Sequence, residues 1–530
     1  MSNKKKKKTK SKQRYNTTLA QHKQQGKTFS PPLMTLPNMQ PTFWLKDDLP
    51  NMLWLCMLTS LYEEQGMIIA RKIFDAVEEV LKEQYGDMDT VPKDVHFNGT
   101  LVSFDTIPEE LRNDIVDRLK ARYLYDRAFP IEFSVSLSRY PNPPGRWLWE
   151  HAVPEGGFSD EQQHAAERQL AKTIDDCWNG RNQHSTWAKM GLTSAGFSSG
   201  RTHITSAMAD DWGALLPRYP FDLNEDETKR VESSMRAMYQ AMSRLLPEEK
   251  RTDIDSWAKE FWRSNWALYG CMEDKDTPEV QSNDEKQMIE YHKQLQARFT
   301  HLTERFFKAS SADPDLYNPV RHEVLSGIVS RNRRAVAIVL GNPMMWSSEH
   351  GSGTVRALVE ARIVLAWLLH KNDPVLYVKF QEYGRGHLKL LKLHLEAYVD
   401  KQENASQELI ANIADLDSIV NRDISEEFQN ISIQPNFAGV SVRKMADDVG
   451  MADDYRFLFA PASSTFHGEW PALDQFALVQ CKNPMHRGHR IVQKNDGVVI
   501  GSHLVNATLN ELETLIELYE GGIGAPTDEH

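Results

Sequence analysis

The chain has 530 residues, 40% apolar and 26% charged, ordinary globular usage that excludes collagen-like or wholly disordered chains and leaves room for several cores. Its net charge is −12, divided as +8 over the first 14 residues and −20 over the rest, which argues against an extended nucleic-acid groove on the body. Four scattered cysteines with no CxxC exclude a disulfide framework and fit a reducing cytoplasm, and no run reaches the roughly 18 apolar residues of a membrane span.

Residues 1–40 read as a disordered Lys-rich tail. Its cations suit RNA phosphates or an acidic protein surface; the plainer reading is a solubilising tail. A polar stretch, 16–25, follows the basic start where a secretory signal needs an apolar one, so a cytoplasmic protein is expected. Order starts near Thr42. The spacing predicts helices over 48–62 and 66–84, the second with Ile69, Ile73, Val77 and Val80 on one face. Residues 95–107 read as a strand pair or extended loop, and 108–125 as a helix. The Pro-rich stretch 129–147 breaks the pattern, with a boundary near 155.

Helical periodicity then dominates. Helices are expected over 161–177, 205–216, 226–246, 254–268, 285–309, 315–340, 354–370, 374–399, 405–428, 442–460 and 506–519. Residues 401–423 are polar enough for a solvent-facing arm. The fold class is mostly α: two or three packed helical bundles with at most a short strand pair, divided as 41–155, 156–312 and 313–530.

Three clusters carry chemistry. The first lies in the apolar stretch 355–369, where a buried helix carries Arg356, Glu360 and Arg362. Buried charges persist only when paired, and Arg356 and Glu360 are spaced to pair along one face. His467, in the small-residue segment after 461, supplies a second polar group. As a site, Arg356 would bind a phosphate, His467 would move a proton and Glu360 would orient it; as structure, all three are ion-paired scaffold. The second cluster is Gly351, Ser352 and Gly353, which open that helix with amides suited to an anion near Arg362, or simply cap it. The third is Cys481, His486 and His489, spaced C-x4-H-x2-H. Zinc suits these donors, but nothing nearby completes the set, so the balance is against a metal and no cofactor is expected. Asp222-x-Asn224-x-Asp226 starts like a calcium loop and fails, with Glu227 where glycine is required. No G-x-S-x-G, H-E-x-x-H or P-loop is present.

Arg321-His322-Glu323, Arg331, Arg356-x3-Glu360, Tyr383-Gly384 and Ser464-x2-His467-Gly468 resemble an uncharacterised family of bacterial helical proteins, catalogued as a domain of unknown function. The resemblance covers about residues 315–475 and implies an α-helical fold and a bacterial source, with no chemistry. A more distant likeness is to HEPN-type helical domains, in which an Arg and a His four to six residues apart cut RNA. Here Arg362 and His370 have seven residues between them, and the literal match is Arg146-x4-His151 in the Pro-rich region. The expectation is a non-catalytic interaction or scaffold protein, in a bacterial stress or phage-defence system. One alternative is a metal-independent ribonuclease using Arg356, Glu360 and His467. Another is a metal-dependent enzyme at Cys481, His486 and His489. Protein or RNA partners through the tail are expected and a membrane is not; the oligomeric state is open.

Overall fold

The computed structural model describes residues 19–35, 43–87, 90–92, 94–95, 97–154, 157–198, 204–243, 248–272, 283–313, 319–486, 488–494 and 501–523. Helices dominate, and among the described residues strands are limited to two two-stranded pairs. Part of the expected disordered tail has structure. Lys23–Gln25 pairs antiparallel with Thr28–Ser30, Gln24 opposite Phe29, around Gly26 at φ +61°. The hairpin lies almost wholly exposed and adds nothing to a core; the Lys-rich residues 1–18 lie outside the described residues. No helix among the described residues is long and apolar enough to cross a membrane.

The chain forms two compact units, residues 1–275 with 480–491, and 276–479 with 492–530. In the first, Leu53–Tyr62 is buried at every position from Leu53 to Ser60, so it forms the centre on which its neighbours pack. Glu64–Tyr85 turns back onto it with Gly66 close against the Leu58 carbonyl, where a Cβ would stand 2.3 Å from the oxygen. Trp54, Phe74, Phe97, Phe104 and Phe129 pack edge-on, tilted or, for Trp54 and Phe129, stacked around the same centre, and the Trp54 indole donates to the Gly99 carbonyl.

Three segments depart from the periodicity. Residues 101–106 form a 3-10 turn rather than a strand. The Pro-rich stretch holds a helix, Ile131–Ser138, because Pro130 precedes its first residue, where a missing N–H costs nothing. Gln183–Ser198 is a helix with no apolar stripe, since 185–193 are buried without interruption and no face is left for water.

The second unit is built around Ser348–Lys371, packed against Pro319–Gly341, Ala460–Phe466 and Ser502–Ile523. Pro374–Val399 has the predicted bounds. The expected 405–428 helix is shortened to Gln407–Val420, with one buried residue. The expected 442–460 helix stops at Asp448. Gly450, at φ +74°, turns the chain, and short turns then run through Tyr455–Phe459 into Ala460–Phe466.

Candidate functional site

Ser348–Lys371 starts where its sequence allows. Pro343–Trp346 makes a tight turn with the Trp346 indole bonded to the Val339 carbonyl, and the Ser347 hydroxyl accepts from the His350 amide as N-cap. Gly351, Ser352 and Gly353 therefore fall inside the first turns. The Gly351 amide donates to the Ser347 carbonyl, and the Ser352 hydroxyl to that of Glu349. The two glycines are filled by packing: a Cβ at Gly351 would lie 2.3 Å from the Met345 carbonyl oxygen and from Leu504, and one at Gly353 would lie 2.7 Å from the Phe466 ring.

Arg362 is a different case. Its guanidinium meets Asp454 at 2.7 Å and Glu511 at 2.8 Å, in a place where the Arg362 and Glu511 side chains keep only 11% and 12% of their exposure. The Glu511 contact is a charge pair without hydrogen-bond alignment. Burial pushes the Glu511 carboxyl up, and Arg362 pulls it back down. One arginine facing two carboxylates has its charge compensated inside the unit, which weakens the case for it as an anion-binding group.

Arg356 and Glu360 are half-buried, and they do not pair with each other. The Arg356 guanidinium instead lies 5.4 Å from the centre of the Phe459 ring and 5.7 Å from that of Phe466, a cation–π arrangement. Its Nε is buried without a hydrogen-bond partner. His467 is exposed and touches the other side of the same cluster, its ring 5.4 Å from Phe466. Arg356 and His467 thus share Phe466 as a neighbour, with no carboxylate joining them among the described residues. Glu469 turns away to accept from the Ser464 hydroxyl at 2.7 Å. Further along the helix the Trp367 indole donates to Asp448, whose carboxyl is held down at about 2 by Lys444, then by that indole. In the first unit, Arg146 pairs loosely with Glu150 on an exposed turn beside an exposed His151.

The third cluster gains a member. Cys481, His486 and His489 belong to the first unit, together with Cys271, just beyond the Glu248–Leu268 helix. Their four donor atoms all lie within 4.8 Å of one another. The Cys271 sulfur is 3.6 Å from His486 Nδ1 and 3.6 Å from His489 Nε2. The loop is pre-shaped by its own sequence. Asn483 caps the Pro484–His486 turn by accepting from Met485, and its side-chain amide donates to the Gly270 carbonyl. Gly488, at φ +101°, supplies the left-handed residue that brings His489 round. The Lys482 amide donates to the Met272 carbonyl and the Met272 amide to the Cys481 sulfur. Burial, then His486 and Lys46, push the His489 imidazole down, toward its neutral form. Cys271 had no local signal in the sequence, because its histidine partners lie 215 and 218 residues away. Asp454 and Glu511 escaped for the same reason.

Residues 338–485 match DUF5677, a family of unknown function. The matched stretch includes Arg356, Glu360, Arg362, His467 and Cys481, and agrees with the uncharacterised family that 315–475 resembles. The comparison with curated proteins finds no match, and neither does that with solved structures.

Proposed function

We propose that the chain is a non-catalytic helical interaction protein that binds a protein partner through the second unit. The observation that carries this reading is the state of its ionisable groups. Arg362 is neutralised by Asp454 and Glu511, while Arg356 lies over two rings with its Nε unpartnered among the described residues. A general base must come within hydrogen-bond reach of the proton it takes and be oriented by a third group; His467 has no such orienting contact among the described residues. The surface suits recognition better. Phe457, Phe466, Trp470 and Leu473 are exposed on consecutive turns, and Phe466 among them lies against Arg356; exposed aromatic side chains with an arginine are typical anchors of protein interfaces. The half-buried guanidinium calls for a carboxylate, so the matching partner is an apolar segment carrying an acidic residue.

A metal-independent ribonuclease is the second reading, favoured by one contact: Phe466 is flanked by Arg356 and His467. Purified protein incubated with total RNA, beside Arg356→Ala and His467→Ala variants, separates the two. No cleavage dependent on either residue is expected. Cleavage by the parent that both substitutions abolish would replace the interaction reading with the ribonuclease one. A photo-crosslinking residue at position 470 should give a discrete protein adduct in cells that the same residue at the exposed position 408 does not.

A further inference from the structure

We propose that Cys271, Cys481, His486 and His489 are the four ligands of a structural zinc ion in the first unit. This inference is independent of the interaction reading, since it concerns other residues and another unit. Among the described residues the donor set is two thiols and two imidazoles, the combination zinc favours, without a carboxylate of the kind calcium or magnesium prefers.

Distance makes the argument specific. A tetrahedral zinc with bonds of about 2.3 Å to sulfur and about 2.05 Å to nitrogen sets a sulfur and a nitrogen ligand about 3.6 Å apart. Both sulfur–nitrogen separations from Cys271 are 3.6 Å. No two donor atoms are more than 4.8 Å apart, so drawing all four onto one ion requires about 1 Å of side-chain movement.

The surroundings orient the donors as well. His486 Nε2 lies 3.2 Å from the Asn265 carbonyl. A carbonyl only accepts, so Nε2 holds the hydrogen and the lone pair of Nδ1 faces Cys271. This is the outer contact that metal-bound histidines make, an N–H given to a carbonyl on the far side of the ring. The Met272 amide, 3.5 Å from the Cys481 sulfur, supplies the N–H that steadies a thiolate. Trp266 stacks edge-on against His489 at 4.5 Å, and covers that ring.

Four protein ligands fill the tetrahedron and leave no position for water or substrate, so the ion is structural and the metal-dependent enzyme at this cluster is disfavoured. On binding, each cysteine thiol loses its proton to solvent and the two sulfurs bond to Zn2+. The imidazoles bind through lone pairs, and two thiolates balance the dication. The ion stitches the 480–491 segment to the end of Glu248–Leu268, two stretches of one unit far apart along the chain.

Metal analysis of the purified full chain tests this. One zinc per chain is expected in the parent and in Cys56→Ala, a buried cysteine outside the cluster. Cys271→Ser should retain at least about tenfold less. Cys271 is exposed, so this variant should keep its helical circular dichroism. Should it unfold, the stripped parent titrated with Co2+ decides: intense tetrahedral d–d bands with thiolate charge transfer support the site. Three results would overturn it: zinc retained equally by Cys271→Ser, a parent that carries no zinc and gives a pale octahedral cobalt spectrum, or a Cys271–Cys481 disulfide in the peptide map.

Discussion

Replacing Arg362 by leucine tests whether the charges inside the second unit are structural. The substitution keeps much of the apolar stem and removes the one cation shared by Glu511 and Asp454. Asp454 is one-third exposed and regains water, so its share is below about 1 kcal/mol. Glu511 is nearly sealed, and breaking a buried pair from one side costs about 3–5 kcal/mol, a factor of a few hundred to a few thousand in the folding equilibrium. Replacing Glu511 as well removes the stranded charge, so Arg362→Leu/Glu511→Leu should recover most of the loss, a coupling of at least about 2 kcal/mol. The pH profile gives an internal check. The Glu511 carboxyl is already raised by burial and held down by Arg362. Without the arginine it rises further, so the folded variant takes up a proton that the unfolded chain does not. Its deficit should therefore narrow as pH falls from neutral through the raised pKa toward the ordinary 4.5. Urea unfolding by circular dichroism gives the totals, and hydrogen exchange over Ser348–Lys371 and Ser502–Ile523 gives the local effect. A single variant within about 1 kcal/mol of the parent, or a double variant as unstable as the single, would refute the reasoning.

The glycines at the start of the same helix separate packing from anion binding. Gly351→Ala forces a Cβ onto the Met345 carbonyl and should cost about 1–3 kcal/mol or more; Gly353→Ala meets only the exposed Phe466 ring, which can swing aside, and helix propensity repays up to about 1 kcal/mol. Equal effects in thermal unfolding would contradict the packing account. In the first unit, burial lowers the Lys189 ammonium to about 8, against the pull of Cys56, Cys177 and Asp48, while Arg236 lowers it further. Between about 8 and the unfolded 10.5 the unfolded chain keeps a proton that the folded one has shed, so stability should rise with pH across that window by about 3 kcal/mol. Lys189→Met should flatten the rise; parallel profiles for parent and variant would sink the attribution.

Helix class and most helix positions were legible because an apolar stripe is a local pattern, read from neighbours three and four residues apart. Pro374–Val399 was visible to the residue for that reason, with Pro374 at its first position and Asp373 capping it. The 183–198 helix was hidden because a segment buried on every side has no stripe. The break at Gly450 was hidden because apolar spacing continues past it. At the candidate sites the side chains could be named from the sequence, but not their company. Arg356 was read as the partner of Glu360, and packing gave it Phe459 and Phe466 instead. Of the proposed zinc ligands, the three that fall within nine residues were visible in the sequence and the fourth was not.

The sequence by itself determined where most of the striped helices form and which charges they carry, since both depend on residues a turn or two apart. Only the tertiary structure decided that Glu511 and Asp454 close around Arg362, that His467 faces water, and that Cys271 meets Cys481, His486 and His489. Those meetings depend on which helices bury their faces against each other. That choice is made by the whole core at once, between residues up to 218 positions apart.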